Sequence, residues 1–316
     1  MSFGLSDCTP NAAPHPLENR IFDTTSNREL TFEELEARLD AADVIYLGEA
    51  HGEPAHHVVE AAIVHRLIVA GRRPALGLET FAVGQTSLLQ EYLHRTGDAE
   101  EWLHEASAWD LSSYYGDVLR LAHAAKLELF GIDLDRWLRR RLIAVGVEGL
   151  TALERNQLSP GVPPDDIYRG LMLEWLAAWH CRHDDTSVVA RLHETWTARN
   201  DTMASAIVTT LNADPSRPVV AILGAAHTNY GMGVMQQVAH LRPDTRQLNI
   251  GLRGVVADMT QLTEYYHYGD DPDRAAAYPP SHEILWFTHS SVQRLTIEES
   301  CGQPFDALEE LEVIAH

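Results

Sequence analysis

Short apolar runs and stretches of helical spacing alternate along most of this chain. Val44-Ile-Tyr-Leu47 runs straight into Gly48 and predicts a buried strand ending at a glycine turn. Pro54 opens a helix just beyond, with Val58, Val59, Ala62, Ile63, Leu67 and Ala70 at helical spacing and Gly71 as its stop. Ala75 to Glu79 and Leu127 to Asp133 predict two more strands, each finishing on a carboxylate. Residues 83–94 and 114–125 are expected as helices between them. Thr31-Phe-Glu-Glu34 is a capping box that starts a helix over 33–40.

Strands alternating with helices of this length imply an α/β fold, a mainly parallel β-sheet flanked by helices. After Asp133 the pattern changes. Residues from about 134 to 212 carry only helical signals, broken by Ser159-Pro-Gly-Val-Pro-Pro164, and predict an all-helical insertion between two halves. Strand signals return at Pro218 to Leu223 and Gln247 to Gly251, with a helix from about Met232 to His240 between them. Ile284 to Phe287 is expected as an edge strand. Residues 1–30 read as an irregular leader, with Pro10, Pro14 and Pro16 discouraging regular structure. No linker divides the chain, so 1–316 is expected to form a single domain.

Charge narrows the partners. Against 24 basic residues stand 46 acidic ones, a net charge of −22. Neither nucleic acid nor an anionic membrane is an expected partner, since both need a basic face. No run approaches the roughly 18 apolar residues of a membrane helix. Cys8, Cys181 and Cys301 are far apart and odd in number, which argues against a disulfide framework. With no basic and apolar leader at the N-terminus, the expected location is cytoplasmic.

The candidate chemistry gathers at the predicted strand ends, where ligands bind in open α/β sheets. Glu49, His51, Glu53, His56 and His57 follow Gly48 closely, and Val219-Val-Ala-Ile-Leu-Gly-Ala-Ala-His227 repeats the grammar. Two strands each deliver Gly-x-x-His at their ends. Glu79 ends an apolar strand, where a glutamate is rarely buried unpaired. Asp133 reads more readily as a cap of the next helix. In a helix from about Ser187 to Leu211, Trp196, Arg199 and Met203 line one stripe; an arginine so placed usually meets a carboxylate or an anionic ligand. His57 is open to either a structural or a ligand role, and His56 and His65 read as solvated or capping groups. Gly231-Met-Gly233 after Tyr230 offers backbone N–H groups to an anion, a weak signal alone. No dinucleotide fingerprint, P-loop, His-Glu-x-x-His or Gly-x-Ser-x-Gly motif occurs.

Leu47-Gly-Glu-Ala-His-Gly-Glu-Pro-Ala-His-His57, Leu78-Glu79-Thr-Phe81, Arg199-Asn-Asp-Thr-Met-Ala204 and Leu223-Gly-Ala-Ala-His-Thr-Asn-Tyr-Gly231 occur in that order. Together they resemble the superfamily of ChaN-type haem-binding proteins, Tiki and TraB proteases and erythromycin esterases. The ChaN branch is nearest, through the His-His pair and the Tyr-Gly-x-Gly after the second histidine. The resemblance implies a cleft framed by the two Gly-x-x-His turns. It also implies three chemistries: haem held through a tyrosine, metal-dependent peptide hydrolysis, and ester hydrolysis with a histidine base. The exported haem proteins of the family carry a signal peptide and lipobox that this sequence lacks.

The leading expectation is an enzyme, a hydrolase of an amide or ester in a small-molecule or peptide substrate, or a lyase or cyclase derived from one. Glu49, His51, Glu79, His227 and Arg199 are its catalytic candidates. With a divalent metal (zinc, iron or manganese), His51, His227, Glu49 and Glu79 would supply ligands and a proton acceptor. Without one, His51 would deprotonate water, Glu79 would orient the His51 ring, and His227 or Arg199 would steady the oxyanion. The alternative is haem binding through Tyr230, with His57 or His227 as ligand or neighbour and Trp102, Trp109, Trp175 and Trp179 lining a slot. A third is a scaffold acting through protein contacts. Haem-binding relatives make a homodimer the expected assembly.

Overall fold

The computed structural model describes residues 14–97, 101–104, 115–164, 166–181, 185–267 and 278–290, apart from the side chain of Trp179. Its strands form one eight-stranded sheet. In chain order these are β1 (Ile21–Asp23), β2 (Arg28–Leu30), β3 (Val44–Glu49), β4 (Ala75–Ala82), β5 (Leu129–Asp133), β6 (Val219–Gly224), β7 (Gln247–Gly254) and β8 (Ile284–Thr288). Their order across the sheet is β2-β1-β8-β7-β3-β6-β4-β5. From β8 to β5 all neighbours run parallel, and β1 pairs antiparallel with both β2 and β8.

The continuous apolar runs follow from burial on both faces. Ile45, Leu47, Leu76, Leu78, Val220 and Ile222 point into one core, with α1 (Phe32–Ala41), α2 (Pro54–Val69), α3 (Thr86–His94) and α4 (Gly116–Ala125) covering it. Val44, Tyr46, Ala75, Val219, Ala221 and Leu223 point the other way. Between β5 and β6 lie α5 (Arg136–Val145), α6 (Ala152–Arg155), α7 (Asp166–Trp179) and α8 (Thr186–Ala213). The second core is closed by Met203, Ile207 and Leu211 of α8 and by Val234 and Val238 of α9 (Val234–Leu241). The helical segment expected from the spacing is therefore present, and α8 is the member of it that reaches the sheet.

Local signals account for the boundaries. Thr31 and Glu34 make both halves of their capping box at the start of α1. Pro54 sits in the first turn of α2, and Gly71 follows its end with φ +78°. Gly48 is demanded by packing, since a Cβ there would lie 3.0 Å from Ala225 Cα and 3.1 Å from His282 Nε2.

Three expectations change. Residues 21–30 are a hairpin rather than part of an irregular leader; strands of three residues are too short to show a period. Ile284–Thr288 is an interior strand, paired with β7 on one side and β1 on the other, so it is not an edge. Cys181 is disulfide-bonded, while Cys8 and Cys301 lie outside the described residues. The disulfide at Cys181 counts against the expectation drawn from the spacing and odd number of the cysteines. Among the described residues no helix is long and apolar enough to cross a membrane.

Candidate functional site

Parallel pairing brings the ends of β3, β4, β5 and β6 to one rim of the sheet. Glu49 is the last residue of β3, and its carboxylate is fully buried. His51 lies two residues on, in the turn before α2. Its Nδ1 is 2.6 Å from Glu49 Oε1, and its Nε2 is 3.7 Å from Glu79 Oε1. The Tyr115 hydroxyl donates to the same Glu49 oxygen. Burial would lower the proton affinity of His51, but Glu49 and then Glu79 outweigh it and push its pKa up to about 10. Burial likewise opposes charge on Glu49, yet His51 and His57 hold it well below the usual carboxylate range.

Glu79, in β4, is the hub. Its Oε1 accepts from Arg199 Nη2 at 2.6 Å, and its Oε2 accepts from the backbone N–H of Gly224 at 2.6 Å. Arg199 in turn grips Asp133 with Nε and Nη2, each 3.0 Å from one carboxylate oxygen. Arg139 adds a second cation to Asp133 at 3.1 Å. Asp133 also accepts from Leu134 N–H, but the next helix begins at Arg136 with Asp135 as its N-cap, so the capping reading fails and Asp133 belongs to the rim's ion-pair network. The Trp196–Arg199–Met203 stripe behaves as its spacing suggested. Met203 enters the core, Trp196 lies over His227, and Arg199 meets its carboxylates. Burial raises the Glu79 carboxyl, while His227, His51 and Arg199 bring it well below its ordinary range.

His227 follows β6 in a short 3-10 stretch, Ala225–Gly231, and is fully buried. Its ring stacks on Trp196 with centroids 3.9 Å apart and planes 9° from parallel. Nδ1 is 2.6 Å from Asn200 Oδ1, and Nε2 is 3.2 Å from Glu79 Oε1. Both neighbours are acceptors, so only the imidazolium could donate to both at once. Complete burial opposes that charge more than Glu79 favours it, and lowers its pKa. His51 and His227 thus face one oxygen with their proton affinities moved in opposite directions.

Behind Glu49 lies a group that the sequence did not single out. His57 Nδ1 is 3.1 Å from Glu49 Oε2 and 3.1 Å from Glu60 Oε2, and its Nε2 meets the His51 carbonyl at 2.9 Å. Glu60 is fully buried one helical turn after His57, and their i, i+3 spacing was the one available signal. Burial and the nearby Glu49 push the Glu60 carboxyl up to about 8. The two carboxylates overcome burial to lift His57 to about 11. His56, expected at the surface or in a cap, is instead buried, with Nδ1 accepting from Ala50 N–H at 3.0 Å.

Tyr230 stands apart from this group. It adopts φ +62° and lies in an apolar cluster with Tyr168, Met172, Leu176, Leu192 and Trp196. The rings of Tyr278 and His267 lie against it at 5.0 and 6.0 Å. His57 turns its Nδ1 toward Glu49 and Glu60, so the pairing of Tyr230 with His57 around one haem does not fit. Of the four tryptophans, Trp102 takes the Arg95 guanidinium over its ring and Trp175 packs on Trp196, while Trp109 and the Trp179 side chain lie outside the described residues. The metal set His51, His227, Glu49 and Glu79 fits poorly too. The Arg199 guanidinium already occupies the Glu79 oxygen that both histidines face, and it would repel a second cation there.

A mostly parallel α/β sheet with two Gly-x-x-His turns over a Glu/Arg rim defines the class. Residues 35–238 match the family model described as haem-binding uptake, Tiki superfamily, ChaN, and the chain belongs to that family. Among solved structures it is similar to ChaN of Campylobacter jejuni, described for cofacial haem binding, at 17% identity and a TM-score of 0.62. That match covers 84% of this chain and 95% of the other. An erythromycin esterase mutant, EreC in its open conformation, matches at 17% identity over 73% of this chain and 78% of its own, with a TM-score of 0.45. The type III effector HopBA1 matches at 14% identity over 82% and 93%, with a TM-score of 0.46. No curated protein matches closely enough to add to these.

Proposed function

We propose that this protein is an acid–base enzyme, a hydrolase of an ester or amide, working without a metal between its two histidines. One observation carries this reading: His51 and His227, from two separate strand ends, direct ring nitrogens at the same Glu79 oxygen. Each ring is fixed from behind, His51 by Glu49 and His227 by Asn200. That is how a proton-transfer group is oriented. His51 is the more accessible of the two, its side chain 13% exposed against 0% for His227. It is the group placed to give a proton to a leaving atom in the cleft. Glu79 and His227 share the accepting role toward water, and Arg199 holds Glu79 in place while lending positive charge to a developing oxyanion. The test is a panel of aryl esters and amides with the wild-type protein and Glu79→Gln. Turnover by the wild type that falls at least about 100-fold in the variant supports the reading, and equal rates refute it.

Haem binding is the second reading, favoured by Tyr230 in its aromatic cluster beside Trp196 and Tyr278. A tyrosinate can ligate haem iron, but here Tyr278 and His267 must leave the ring first. Haemin titration tests it. A sharp Soret band in the wild type that is lost in Tyr230→Phe supports it, and a spectrum indifferent to that change removes it.

A further inference from the structure

The cluster behind the rim has the make-up of a metal site. We propose that Glu49, His57 and Glu60 bind a divalent cation of borderline character, zinc or manganese, that ties α2 to the end of β3. His57 and Glu60 are i, i+3 on one helix, so their side chains share a face, and Glu49 arrives from the strand opposite. Their ligand atoms lie within 4.8 Å of one another. The two contacts of His57 Nδ1, 3.1 Å to each carboxylate, match an edge of a coordination shell with bonds of about 2.0–2.2 Å.

Two further observations point to a cation. His57 Nε2 donates to the His51 carbonyl, the outer contact that fixes a ligating histidine's tautomer and turns the other nitrogen toward the ion. Glu60 Oε1 is buried without a hydrogen-bond partner among the described residues, and Glu49 Oε2 is buried with the His57 ring nitrogen beside it. A buried carboxylate oxygen is seldom left unpaired, and a divalent ion between the two carboxylates satisfies it. Two carboxylates and one imidazole suit zinc or manganese, whereas a soft ion would call for thiolate. Glu49 then bridges: Oε2 faces the ion while Oε1 keeps His51 and the Tyr115 hydroxyl. The ion would position the catalytic histidine through Glu49.

Cobalt(II) is the probe. Added to chelator-treated full-length protein, it should bind at one equivalent, with visible bands and a rise in melting temperature. Glu60→Gln, nearly isosteric, should weaken binding at least about 100-fold, whereas Glu79→Gln and His227→Asn should retain it. If Glu60→Gln does not fold, His57→Gln takes its place. Absence of saturable binding to the folded wild type overturns the proposal. So does binding that survives Glu60→Gln but is lost in Glu79→Gln, which would put the ion between the two histidines. Hydrolysis does not enter the readout, so this site and the acid–base reading fail separately.

Discussion

His51 Nε2 and His227 Nε2 lie 3.7 and 3.2 Å from one atom, Glu79 Oε1. The parallel sheet produces this meeting. β4 pairs directly with β6, and β6 with β3, so the three strand ends that carry Glu79, His227 and His51 are neighbours. The same oxygen is held by Arg199, and Arg199 by Asp133, so Glu79 and the two histidines rest on a buried ion-pair network.

Breaking that network should cost stability as well as activity. Asp133→Ala takes a buried carboxylate from both Arg199 and Arg139. Loss of one partner from a buried pair typically costs about 3–5 kcal/mol. Urea denaturation should show that loss, and a change under about 1 kcal/mol would contradict the network's role.

Asn200 is a positioning residue. Asn200→Ala removes the contact at His227 Nδ1 and frees the ring to turn. About 1–3 kcal/mol of stability should go with it. Turnover should fall while substrate affinity holds, and kcat and KM measured separately check this. A rise in KM alone would say that Asn200 only shapes the pocket.

Asp201 should make stability depend on pH. Burial pushes its carboxyl up to about 7, and the backbone of Gly161 presses on it, since a Cβ there would fall 2.1 Å from Oδ1. The folded pKa lies above the unfolded value of about 3.9. The folded protein therefore holds the extra proton between about pH 4 and 7. Its contribution is full below about pH 4 and is lost as pH rises through 7, by up to about 4 kcal/mol. Asp201→Asn should melt higher than the wild type at pH 8 and nearly equal to it at pH 4. A pH-independent difference would contradict this.

Gly48 should not tolerate a side chain. Gly48→Ala puts a methyl group against Ala225 and His282, at a cost of about 1–3 kcal/mol. Because Ala225 begins the turn that carries His227, activity should drop more steeply than stability. Thermal melts and turnover on the same samples separate the two.

Much of this was legible in the chain. Strands buried on both faces must be apolar throughout, so β3, β4, β5 and β6 stood out as runs, and Glu49, Glu79 and Asp133 marked the rim, although β4 continues past Glu79 to Ala82. The paired Gly-x-x-His turns gave His51 and His227, and an arginine between Trp196 and Met203 announced a carboxylate partner. Glu60 was hidden because a glutamate in an amphipathic helix usually faces water, and only contact with β3 shows otherwise. Tyr115 carries no charge to advertise it, and Asn200 entered only as a member of the Arg199-Asn-Asp motif. The β1–β2 hairpin and the interior place of β8 depend on pairing between distant segments, which periodicity within one segment does not encode.

The central claim is that His51 and His227 act as one unit through Glu79, and a double-mutant cycle tests it most directly. Once a substrate is in hand, kcat/KM is measured for the wild type, His51→Asn, His227→Asn and the double variant. The account predicts that each single change costs at least about 100-fold and that the double loses little more than the worse single. Losses that multiply, or a single variant with wild-type turnover, would contradict it.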